Sequence, residues 1–341
     1  MKSIDFIEAS AYLRVLEKRI LSNDNIERIA EASTLEETLR LLAQNSEYDF
    51  SQISSSVEAE KIIQQGMIEL YAAMYKLAGE KNRAVIDLAA CKYDFHNLKV
   101  VLKARNNEAA KAIAQDLYSP ISNLDMDYIT EYLEGEISEV DVQKLPEYAK
   151  MALSRAQEAY EGSKDPQDID ITIDHIMFEH LFALADIVDS EFIKQYIRLS
   201  IDYYNVKTLL RVKNMNKGSR FLGASLIAGG IVERSFLLAN YDKTPDALAG
   251  ILFYKHFGNT VLNGVEYYNR TENYSDLERI FDNQLMAHIK NSKLIAFGPE
   301  ILFSYLISRE NEARQIRILV AGKQNQLPND TLKERLRDNY A

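Results

Sequence analysis

Cysteine is nearly absent. Cys91 stands alone among 341 residues, which excludes an intrachain disulfide framework and a cysteine-based zinc site. It reads best as a small buried apolar residue. Positive charge is also in deficit, with 40 Lys+Arg against 51 Asp+Glu. General nucleic-acid binding is therefore not expected, because it relies on cations neutralising phosphates. The acidity is uneven: residues 124–231 hold 11 basic and 19 acidic side chains, whereas residues 232–341 hold 14 of each. Long apolar runs are missing as well. The most apolar window, Phe221 to Val232, is too short for a bilayer, which takes about 20 residues. No direct transmembrane segment is expected, and any membrane association would come through a partner. The start, MKSIDFIEASAYLRVLEKRI, carries Asp5 and Glu8 and no continuous apolar run, unlike a signal peptide. A cytosolic setting fits. Strand signals are scarce too. The one alternating run, Asp168 to Asp174, reads as a loop entering a helix.

What is present is helical spacing nearly throughout. Hydrophobic residues at 47% suffice for a buried core, and 27% charged residues are ordinary for a soluble chain. Helices are expected over Phe6–Leu21, from Ile26, from Leu35 behind a Ser33/Thr34 capping box, over Glu58–Leu77 and over Arg83–Lys103. In the middle third they are expected over Asp125–Leu133, Ser138–Tyr160 with Pro146 as a break, Asp174–Asp186 and Ser190–Val212. The segment Glu161 to Asp168 is expected to be the clearest loop. The last third offers Thr244–Tyr254, Phe257–Tyr268, Tyr274–Ala287, Pro299–Leu319 and Asp330–Asp338, with Pro299 in a first turn.

One helical motif occurs three times: DFHNLKVVLKAR from Asp94, DYYNVKTLLRVK from Asp202 and EARQIRILVAGK from Glu312. Each runs acid, two variable residues, amide, aliphatic, cation. The starts lie 108 and 110 residues apart, so the chain divides into three helical units, 1–123, 124–231 and 232–341. Between the second and third copies the period extends further, setting Tyr160 on Tyr268, Asp174 on Asp282 and His180 on His288. In the motif, Leu98, Val101 and Leu102, and likewise Val206, Leu209 and Leu210, form a stripe that must pack inward. Lys99 with Lys103, and Lys207 with Arg211, fall at i, i+4 and each make a positive ridge that a carboxylate would relieve.

No catalytic, cofactor-binding or metal site is expected. Gly218 to Gly230 is glycine-rich but lacks the Gly-Lys-Ser/Thr ending of a phosphate loop and the GxGxxG spacing. Its small residues suit close helix contact or a tight loop. His175 and His180 do not complete HExxH. The acids from Asp168 to Glu179 fall at calcium-loop positions, yet Ile173 takes the place that needs glycine. His96 has no counterpart in the other two copies and reads as packed or partner-facing.

The C-terminal stretch from Phe297 to Tyr340 is recognisable. Gly298-Pro299-Glu300, Arg309-Glu310-Asn311-Glu312, Ile316-Arg317-Ile318, Gly322-Lys323, Leu327-Pro328 and Glu334-Arg335-Leu336-Arg337 closely resemble the end of the C subunit of V-type and A-type ATPases, the counterpart of the eukaryotic d subunit. Tyr203-Tyr204-Asn205-Val206-Lys207 through Arg211 is a second landmark, and with the repeat and the length the resemblance covers essentially the whole chain. It implies an all-α fold of three pseudo-equivalent helical-bundle repeats in a funnel-like pseudo-threefold arrangement. It further implies a peripheral protein without an active site on the cytoplasmic face, joining the central stalk to the membrane rotor (proteolipid) ring. On that basis Asn97, Lys99, Asn205, Lys207, Arg211, Gln315 and Arg317 are expected to form or support a partner-contact surface. The competing expectation for the amides and acids is that they only tie neighbouring helices together. The competing function is a helical-repeat adaptor unrelated to rotation.

Overall fold

The computed structural model describes residues 2–135, 144–252, 258–271 and 273–341, and no strand occurs among them. The first helices are α1 (Ile7–Leu16), α2 (Asn23–Ala30), α3 (Leu35–Asn45), α4 (Ser56–Asn82) and α5 (Ala84–Arg105), followed by the one-turn α6 (Glu108–Lys111) and α7 (Ala114–Leu117). Then come α8 (Met126–Glu134), α9 (Glu147–Ser163), α10 (Pro166–Val188), α11 (Glu191–Asn214) and α12 (Ser219–Ser225). The chain continues through α13 (Arg234–Ala239), α14 (Pro245–Leu252), α15 (Asn259–Thr271), α16 (Tyr274–Lys290), α17 (Pro299–Gln324) and α18 (Asn329–Arg335). The start of the expected Ser138–Tyr160 helix, together with Tyr254 and Phe257, lies outside the described residues.

Local chemistry sets most of the boundaries. Ser22, Thr34, Ser55, Asp125, Asp165, Ser190 and Asn273 each accept a first-turn backbone N–H, a contact worth about 1 kcal/mol. The full capping box belongs to Ser55 and Glu58. At the expected box, Glu37 reaches back to the Ser33 N–H while Thr34 caps.

Two expectations are corrected here. The stretch Glu161 to Asp168 is not an extended loop, because α9 runs to Ser163 and α10 opens at Pro166. Asp165 caps α10, Pro166 sits in its first turn, and Lys164 makes the sharp exit at φ 58°. The alternating run Asp168 to Asp174 is helical, with Ile169, Ile173 and Ile176 buried on one side of α10. The calcium-like positions therefore lie on a continuous helix and cannot wrap a cation.

Long helices form a circuit. Helix α4 packs on α5, α5 on α10, α10 on α11, α11 on α16, α16 on α17, and α17 returns to α4. The motif helices are α5, α11 and α17, and α17 also touches the other two. The side-chain cores are out of phase with the sequence period. One joins Cys91 through Ile176, and a second joins Tyr203 through Phe281. The largest gathers both ends of the chain, with Phe6, Leu13 and Leu21 beside Ile316, Leu332 and Tyr340.

Candidate functional site

The motif amides are buried and do the same thing in each copy. Asn97 accepts the Ser119 N–H at 2.7 Å and donates to the Ser119 carbonyl at 3.1 Å. Asn205 does so with Ile227, at 2.8 Å for both bonds. Gln315 accepts the Arg337 N–H at 3.0 Å and donates to the Arg337 carbonyl. In each case the partner lies 22 residues downstream. One side-chain amide thus pairs with both main-chain groups of one residue, replacing the bonds that a loop cannot make with itself.

The acids hold the chain a little further on. Asp94 accepts from Ser122 Oγ, the Asn123 N–H and Tyr148 Oη at 2.7–2.8 Å. Asp202 accepts the Ile231 and Val232 N–H groups, both at 3.0 Å. Close approach explains the glycine-rich segment, since a Cβ on Gly230 would stand 2.2 Å from Asp202 Oδ1. Glu312 differs. It accepts the Leu21 N–H at 2.7 Å and lies 2.9 Å from the Arg309 guanidinium. The N-terminal segment therefore supplies to the third acid what the downstream loop supplies to the other two.

Burial dominates the ionisation of all three acids. It raises Asp94 against the pull of Ser122, Tyr148 and Asn123, and pushes Asp202 up to about 6 against its two backbone donors. Burial also raises Glu312, although Arg309 draws it back. The three carboxyls are more easily protonated here than in water.

The cations reach across to the next long helix. Lys99 pairs with Asp174, Lys103 with Asp170 at 2.7 Å, Lys207 with Glu278 at 3.5 Å, and Arg317 holds Glu60 through two bonds of 2.8 Å. Asp170, Glu278 and Glu60 are the fifth residues of α10, α16 and α4. The third pairing closes the circuit through space. Partly exposed ion pairs of this kind contribute about 0–1 kcal/mol each, so they fix register more than they stabilise. The acceptor carboxylates escaped the sequence reading, although their equal distance behind Ser55, Asp165 and Asn273 was a usable signal.

Of the seven expected contact residues, Asn97, Asn205 and Gln315 are buried with amides bonded inside the chain, leaving no polar surface for a partner. Lys99, Lys207 and Arg317 are partly exposed beside carboxylates of the chain. Arg211 is exposed and has no carboxylate partner among the described residues; its guanidinium lies 5.9 Å from the centre of the Tyr274 ring. With Lys99, Asp174 and Tyr204 it lines a cavity of about 400 Å³. Among the described residues no cluster of His, Cys, Asp and Glu could hold a metal ion, and no helix is long and apolar enough to cross a membrane.

Comparison with known proteins matches residues 9–335 to the family described as ATP synthase (C/AC39) subunit. The C subunit of the A-type ATP synthase of Methanosphaera stadtmanae is 22% identical, over 98% of this chain and 89% of its own length. The C subunit of the V-type sodium ATPase of Enterococcus hirae is 21% identical, over 99% of both chains. The C subunit of the A-type ATP synthase of Desulfurococcus sp. is 24% identical, over 95% of this chain and 88% of its own. The chain belongs to the ATP synthase (C/AC39) subunit family.

Proposed function

We propose that the chain is the non-catalytic coupling subunit of a rotary A-type or V-type ATPase. It stands on the cytoplasmic face between the central stalk and the membrane rotor ring, so that ATP hydrolysis or synthesis is coupled to H+ or Na+ transport. The names of its relatives support a place in such a complex. The observation that carries the coupling role is the threefold recurrence of one joint: amide to peptide, acid to loop, cation to the next long helix. In this reading the units 1–123, 124–231 and 232–341 are pseudo-equivalent and surround a common centre in a funnel. A part that passes torque must not slip or shear. A closed circuit of packed helices is stiff, and charged contacts at each joint set register. An open solenoid adaptor would leave its terminal repeats unpartnered, whereas Arg317 returns to Glu60.

Arg211 is the foremost contact residue in this reading, with Lys99, Lys207 and Arg317 supporting it and the three amides holding the motif helices in place. The test is co-assembly of the full chain with its central-stalk subunits. Arg211→Glu is expected to weaken stalk binding about tenfold or more, as losing a desolvated charge contact does, with helical content unchanged. Unaltered stalk affinity would remove Arg211 from the contact surface. Failure of the unmodified chain to bind stalk or ring would remove the coupling role itself.

A further inference from the structure

Leu294, at 88% exposure, is the most exposed large apolar side chain among the described residues. It ends the short turn Asn291–Leu294 between α16 and α17. That turn is firmly held. Arg14 of α1 donates to the Ser292 and Ile295 carbonyls, both at 2.6 Å, on either side of Leu294. The Gly298 N–H donates to Ser10 Oγ at 3.2 Å, which brings the exposed Phe297 beside the same helix. Ile7 and Ala11, one turn apart on α1, stand about 60° round from Ser10 and Arg14, and both are exposed. Cations flank this apolar apex. Lys290 and Lys293 precede Leu294, and Lys293 lines a cavity of about 340 Å³ with Lys18, Tyr340 and Ala341. None of the three lysines pairs with a side-chain carboxylate among the described residues, since Glu17 is held by Arg14 and Asp5 by Lys81. Glu8 lines a different cavity, between α1 and α4, and the Ala341 carboxylate offsets only one of the lysines. Burial and the neighbouring Lys290 lower the Lys293 ammonium, so an anion here would relieve two like charges.

We infer that this apex binds an anionic lipid surface directly, independently of the coupling role. Apolar side chains on a held turn enter the boundary of the acyl chains, while flanking lysines stay at the phosphates with their stems along the apolar surface. The lysines favour lipid over protein. Their ammonium groups are strongly hydrated and are depleted from protein interfaces, whereas anionic headgroups attract them without stripping that water. Charge also sets the orientation. With a net charge of −11, the body as a whole is repelled by an anionic surface, so attachment goes through this end.

The probe is the full chain with unilamellar vesicles of phosphatidylcholine alone, or of phosphatidylcholine and phosphatidylglycerol in equal parts. Binding by flotation is expected to be about tenfold or more tighter to the mixed vesicles, and to weaken as salt rises. Leu294→Asp is expected to lower that affinity about tenfold or more, and Lys290→Gln with Lys293→Gln severalfold. Val57→Asp is expected to change nothing. Val57 is exposed at the start of α4, where Ser56 meets Gln324 at the far end of α17. The chain holds no tryptophan, so Leu294→Trp places a lone indole at the apex. Its emission is expected to move to shorter wavelength on the mixed vesicles, and an unmoved emission overturns the insertion. Equal affinity for the two vesicles, or binding indifferent to Leu294→Asp, overturns the inference. So does a dimer that Leu294→Asp dissolves in a chain that binds neither vesicle, which would give the apex to a second copy.

Discussion

Asn97, Asn205 and Gln315 set the pattern at the scale of single residues. Each uses a buried side chain to satisfy both main-chain groups of one residue, so truncation removes two bonds and strands their partners. Asn205→Ala is expected to cost about 2–3 kcal/mol in urea unfolding, whereas Lys207→Ala, breaking a half-exposed pair, costs under about 1 kcal/mol. Equal losses for the two would refute the structural role given to the amide. The inward direction of the amides was legible in the motif. At about 100° per residue, Asp94 and Asn97 fall beside Leu98, Val101 and Leu102 on the buried face, and only Lys99 lies apart. Asp202 adds a pH dependence. Its carboxyl rises from the ordinary 3.8 to about 6 on folding, so the folded state holds the proton more tightly. Its contribution is full at pH values below 3.8 and falls as pH rises through about 6, by roughly 3 kcal/mol. Measured against Asp202→Asn, which has no such titration, the wild-type advantage should shrink between pH 4 and pH 7. A constant or growing advantage would refute it.

At the scale of elements, caps and glycines decide where helices begin and how near they come. The N-terminus of α10 shows why the sequence misled there. Ile169, Ile171 and Ile173 alternate as in a strand, yet Ile169, Ile173 and Ile176 also lie on one helical face, and Asp165-Pro166 opens a helix. Period alone does not separate the two, and the cap decides. Asp165→Ala should cost about 1 kcal/mol, read as a shift in the urea midpoint. Gly230 is the stricter case. A Cβ there meets Oδ1 of the carboxylate whose two oxygens accept the next two main-chain N–H groups, and overpacking of this kind costs about 1–3 kcal/mol. Gly230→Ala should therefore lower stability, while Gly162→Ala, with open space around its Cβ position, should not.

At the scale of the whole molecule, the chain ends make one packing unit. Leu332 and Tyr340 are buried with Phe6 and Leu21, Asn339 donates to the Leu21 carbonyl, and Glu312 accepts the Leu21 N–H. No sequence signal announced this. Two joints use a loop that follows their motif, but the third borrows a segment 291 residues away. Deleting residues 328–341 should accordingly loosen residues 20–32 in hydrogen exchange, and unchanged protection there would contradict the shared core. The central claim is the proposed coupling of the central stalk to the membrane rotor ring. Its most direct test is ATP-driven ion uptake by membrane vesicles whose ATPase lacks only this chain, with ATP hydrolysis followed in parallel. A coupling role predicts that hydrolysis by the catalytic head persists while ion uptake is lost and returns on adding the chain. Ion uptake that continues without it would contradict the account.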